Sequence, residues 1–148
     1  MRYLPMASIP DLWPEELAVM PAQKSPGAIL REQAAMLGPR VNNLLTGRVE
    51  TRSDPSGAKF QHTFIIVVPA LDFYRFELFF VVHGVREFYP LDAFAHGSGV
   101  QLASEAELVE WLRAVFASSE TKRIIGTLLA TIERPAEVGE PKLTLGQL

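Results

Sequence analysis

The chain has no cysteine, and that absence closes several routes at once. No disulfide can staple it, no thiolate can attack a substrate or ligate zinc, and a reducing compartment suits it. Positive charge is not in excess either. Fourteen Lys and Arg stand against seventeen Asp and Glu, a net charge of −3. Binding to nucleic acid needs a concentrated basic surface, and the pair Lys122-Arg123 is too small to provide one. No run is both long and uncharged. A membrane helix needs roughly 20 apolar residues, whereas the most apolar region here is broken by Pro69, Asp72, Arg75 and Glu77. The first ten residues, MRYLPMASIP, have no continuous apolar segment after Arg2 and do not read as a signal peptide. The expectation is a soluble cytoplasmic protein with no membrane or nucleic-acid partner.

Catalytic signatures are equally scarce. Gly-x-Ser-x-Gly is absent, as is the phosphate-binding loop ending in Lys-Ser/Thr. The lone Gly-x-Gly in Ala95-His96-Gly97-Ser98-Gly99 lacks the strand-to-helix context of a dinucleotide site and reads as a loop. His62, His83 and His96 fall at no metal-ligand spacing, and zinc needs three or four convergent ligands. No metal and no cofactor is expected.

What the chain does have is a dense apolar centre, Phe60 to Phe94, within 148 residues that are 48% hydrophobic. That length supports one core without disulfides. Phe60 to Val68 is rich in β-branched and aromatic residues and predicts a strand ending at Pro69. Phe73 to His83 alternates, predicting a second strand. Tyr74, Phe76, Leu78, Phe80 and Val82 are expected to face the helices, and Phe73, Arg75, Glu77, Phe79, Val81 and His83 to face away. Gly84-Val85 suggests a tight turn pairing His83 with Arg86, with Pro90 marking the next strand as an edge. Thr46 to Ser53 adds a partly solvated first strand, with Arg48, Glu50 and Arg52 on one face.

Helices flank this sheet. Ser25-Pro26 is an N-cap followed by proline at the first helical position. Ile29, Leu30, Ala34, Leu37, Val41, Leu44 and Leu45 recur at helical spacing, and Gly38-Pro39 predicts a kink or split. Ser104 to Glu107 is a capping box opening a helix with the stripe Leu108, Leu112, Val115 and Phe116. Ser118-Ser119 can cap another, with Ile124, Ile125, Leu128, Leu129 and Ile132 on its apolar face. The predicted fold is α+β: a kinked N-terminal helix, a four-stranded antiparallel meander and a C-terminal helical pair on one face. Residues 1–24, with four prolines, form an arm; 25–134 form a single domain; 135–148 form a flexible tail.

Two function classes follow. Surplus apolar surface without a convergent polar set points to a non-enzymatic protein–protein interaction protein of adaptor, chaperone-like or toxin-neutralising type. The away-facing side of the predicted sheet would expose a patch too large for a monomer. Trp13, Phe64, Ile66, Phe73, Phe79, Val81 and Phe88 are therefore the expected interface of a homodimer. The second class is a small enzyme or ligand-binding domain using His62, Arg75, Glu77 and His83 on that same side. A histidine beside a carboxylate suits a general base. A cross-strand charge pair explains Arg75 and Glu77 more simply, because strand spacing of ~3.3 Å per residue spreads the four apart.

Overall fold

The computed structural model describes residues 8–19 and 23–132. The predicted tail and the ends of the arm lie outside them. Helix α1 (Pro26–Arg40) is followed by five strands: β1 (Thr46–Ser53), β2 (Lys59–Val68), β3 (Tyr74–Gly84), β4 (Leu91–Ala95) and β5 (Ser98–Leu102). Two helices close the fold, α2 (Glu105–Ala117) and α3 (Ser119–Thr131). The strands pair in chain order as one antiparallel sheet. The α+β class holds, with five strands where four were predicted.

The fifth strand lies in what reads as a glycine-rich loop. His96 and Gly97 both adopt positive φ, at 53° and 79°. Two such residues make the primed turn that matches strand twist, so β4 and β5 form a tight hairpin. The link from β3 to β4 is wider than a two-residue turn. Residues 85–90 form a loop with a cis Tyr89-Pro90 bond, and pairing resumes at Val82↔Asp92.

Helix ends obey the capping signals. Ser25 Oγ accepts from the Ala28 amide at 3.0 Å, and Ser104 Oγ from the Glu107 amide at 3.2 Å. Glu107 reaches back to the Ala103 amide at 2.8 Å, and Ser118 caps α3 by accepting from Thr121. The predicted kink gives way to a helix end. Helix α1 runs through Gly38-Pro39 to Arg40 and stops, and the Asn43 amide donates back to the Gly38 carbonyl at 2.8 Å. Asn42 and Asn43 have positive φ, which asparagine tolerates better than most residues. Leu44 and Leu45 then lead into β1 rather than extending the helix.

One irregularity decides which side of the sheet is core. Phe64 pairs with Phe79, yet Ile65 pairs with Glu77, so Leu78 is an extra residue in β3. A bulge shifts every later side chain to the other face. Tyr74, Phe76 and Leu78 remain on the helix side as predicted, and Leu78 is buried in the core. Beyond the bulge, Phe79, Val81 and His83 face the helices, and Phe80 and Val82 face away. The helix-covered core therefore contains Phe64, Ile66, Val68, Phe79, Val81, Leu91, Ala93, Leu108 and Leu112. The outer face carries Arg48, Glu50, Arg75 and Glu77 around Ile65 and Val67, with Phe80 stacked on Phe94 at 4.9 Å.

Candidate functional site

The two helical elements cover different parts of the sheet. Helix α1 lies chiefly over β1, whereas α2 reaches β5. Gly47 brings α1 close, because a Cβ there would sit 2.6 Å from the Ala34 carbonyl oxygen. With the helices drawn to opposite sides, the middle strands floor a gap between them. That gap is a groove of about 560 Å³, within the size range of ligand clefts, roughly 300–1,000 Å³.

The groove is apolar and its rim is cationic. Phe64, Ile66 and Leu78 make the floor. Ile29, Met36, Leu37 and Val41 line one wall, and Val109, Leu112, Phe116 and Ile125 the other. Gln33, Thr121, Arg40 and Arg113 are the polar side chains, and no carboxylate lines it among the described residues. Met36 and Val109 are exposed at the mouth although both are apolar. Arg113 has a 3.7 Å contact to Glu110 in open solvent, a pairing worth little. The floor is fixed by aromatic packing: Phe64 stacks on Phe79 at 5.1 Å, and Trp111 and Phe116 meet Phe79 edge-on.

A second polar feature lies under the other end of α1. His62 and His83 are buried and joined Nε2 to Nε2 at 2.8 Å. His62 Nδ1 lies 2.8 Å from Thr51 Oγ1, and His83 Nδ1 lies 2.8 Å from the Gly84 carbonyl oxygen. These contacts dictate the protons of the neutral pair. A carbonyl only accepts, so His83 donates from Nδ1, leaving its Nε2 to accept from His62. Thr51 then donates to His62 Nδ1. Every ring nitrogen is used, and no lone pair faces a substrate. Phe60 and Phe88 pack on the His83 ring. A Cβ on Gly27 would come 2.9 Å from His62 Cε1, so the helix can cross the ring only at a glycine. Burial, with His83 and Arg31 adding repulsion, lowers the His62 pKa from 6.5 to about 4.

The four polar residues expected to share a face are thus divided. His62 and His83 meet beneath the helices, whereas Arg75 and Glu77 lie beyond the sheet. Arg75 pairs across the strands with Glu50 at 2.7 Å on that exposed face, and not with Glu77. The expected interface is redrawn as well. Phe64, Ile66, Phe79 and Val81 are core: β2 pairs Ile66 with Phe76 and Val68 with Tyr74 on the helix side, and the bulge turns Phe79 and Val81 to that side. Phe88 packs on His83, and only Trp13 and Phe73 of the seven are exposed. Among the described residues there is no group of three or more His, Cys, Asp or Glu able to hold a metal. Nor is any described helix long and apolar enough to cross a membrane.

The groove residues Gln33, Met36, Arg40, Val109 and Arg113 escaped sequence reasoning. Their one signal was apolar surplus: Met36 and Val109 lie off the main stripes of their helices. Comparisons with protein-family models, curated proteins and solved structures find no match to this chain.

Proposed function

We propose that this is a non-enzymatic protein–protein interaction protein whose working surface is the groove between α1 and α2. It takes an acidic segment of polypeptide with large apolar side chains. The carrying observation is the open apolar trough with arginines, and no carboxylate among the described residues, along its lining. Apolar side chains supply affinity there, and charge at the rim supplies orientation and on-rate. The expected sheet-face interface is replaced by this groove, since four of its residues are buried. The enzymatic alternative has less support, because the histidine nitrogens satisfy one another.

Selection of displayed 12-residue peptides against the full chain tests this reading. Enriched peptides should combine acidic residues with at least two large apolar ones. Their binding should weaken at least tenfold on Met36→Glu and Val109→Glu, both surface changes at the mouth. Absence of enrichment on a monomeric chain, or equal binding to these variants, overturns the proposal.

A further inference from the structure

The described part of the arm, residues 8–19, matches the groove in chemistry. It presents Ile9, Leu12, Trp13, Leu17 and Val19 to solvent, with Leu12 80% and Trp13 75% exposed. Isolated exposed apolar residues need no explanation, but five such side chains within one short segment do. The segment has local shape: Asp11 Oδ1 accepts from the Trp13 amide at 3.0 Å, and Glu15–Val19 forms a 3-10 turn. Its only charges are Asp11, Glu15 and Glu16, all negative. An acidic, apolar strip and a cationic, apolar trough are complementary within one sequence.

We infer that the groove is filled by the arm of a second copy of this chain, each copy lending its arm to the other in a twofold homodimer. This rests on the groove reading above and names the segment that fills it. Leu12, Trp13 and Leu17 enter between α1 and α2, and Glu15 and Glu16 meet Arg40 and Arg113. A partner's arm is favoured over the chain's own for a topological reason. The arm joins α1 at Ser25, while the groove runs along that helix from Ile29 to Val41 and carries Arg40 at its far end. To bring Glu15 and Glu16 to Arg40 of its own groove, the arm must reverse at Ser25 and run back along a 15-residue helix, ~22 Å long. Reciprocal exchange removes that demand and closes with twofold symmetry.

A charge-swap experiment on the full chain, read by sedimentation velocity at tens of micromolar, decides the matter. The unmodified protein should sediment at twice its 16.4 kDa chain mass. Arg40→Glu/Arg113→Glu and Glu15→Lys/Glu16→Lys should each associate at least tenfold more weakly, with unchanged circular dichroism. Mixing the two variants should restore dimers of mixed composition, since each arm then meets a groove of opposite charge. A monomeric unmodified chain overturns the inference, including the case in which the arm folds onto its own groove. So does a dimer that survives both reversals, or a mixture that stays monomeric. If selected peptides bind the groove of a monomeric chain, arm exchange alone has failed. If no peptide binds and the chain is monomeric, the groove reading has failed with it.

Discussion

The two ends of helix α1 rest on the same face of one sheet and are built on opposite principles. At the N-terminal end, Gly27 presses on His62, and a chain of hydrogen bonds uses every nitrogen of both histidines. Toward the C-terminal end, Met36, Leu37, Arg40 and Val41 border open space. One end is specified by contact and by hydrogen-bond satisfaction. The other holds apolar surface without enclosing it, and a fold that can close one end of a helix this tightly has the means to close both. The difference marks where stability resides and where binding can occur.

The comparison breaks first if the core is assigned to the wrong side. Phe79→Glu places a carboxylate among Phe64, Trp111 and Phe116. An unpaired buried charge should cost roughly 4 kcal/mol or more, enough to unfold a marginal domain. Chemical denaturation measures it, and a stably folded variant would return Phe79 to an exposed face. A milder pair sharpens the contrast along α1 itself. Leu30 is wholly buried and Met36 is exposed. Leu30→Ala should cost about 3 kcal/mol, and Met36→Ala less than about 0.5 kcal/mol. Equal losses would mean that the groove is part of the core.

Acid should find the closed end. The His62 pKa falls from 6.5 to about 4 on folding, through burial first and then repulsion from His83 and Arg31. Between those values the unfolded chain binds the proton and the folded chain does not. Stability is therefore full above pH 6.5 and declines as the pH drops toward 4. With allowance for solvent near the pair, the loss is on the order of 2 kcal/mol. Thermal melts across this range should show the decline in the native chain and a smaller one in His62→Gln. An identical slope in both would assign the acid loss to other groups.

How much of this was legible in the residues depended on scale. Helix starts were written in Ser25, Ser104 and Ser118, whose hydroxyls can each satisfy an otherwise orphaned amide. The three longer strands were visible in their apolar content. Alternation failed at Leu78, because one inserted residue inverts the faces of everything after it and leaves no compositional mark. That single shift moved Phe79 and Val81 from expected interface to core and separated His83 from Arg75 and Glu77. The β4–β5 hairpin was hidden by its glycines, which read as loop until His96-Gly97 is recognised as a turn. The groove could not be read at all. It depends on how far apart α1 and α2 settle, which no local pattern encodes.

The smallest effect concerns the rim of the core, where the satisfaction seen at the histidine pair is lacking. Tyr89 packs against the core cluster, and its hydroxyl is buried with no hydrogen-bond partner among the described residues. Burial raises its pKa above 10, and the nearby Glu105 carboxylate raises it further. Removing an unpaired buried hydroxyl returns the desolvation that folding imposed on it. Tyr89→Phe keeps the ring and should leave stability unchanged or raise it by up to about 1 kcal/mol. It should also change the alkaline side. A phenol whose pKa rises on folding loses stability as pH climbs above 10, because the unfolded chain ionises first. The variant lacks that part of the decline. If Tyr89→Phe instead destabilises by about 1 kcal/mol, the hydroxyl holds an ordered water, and this edge of the core is as fully satisfied as the histidine end.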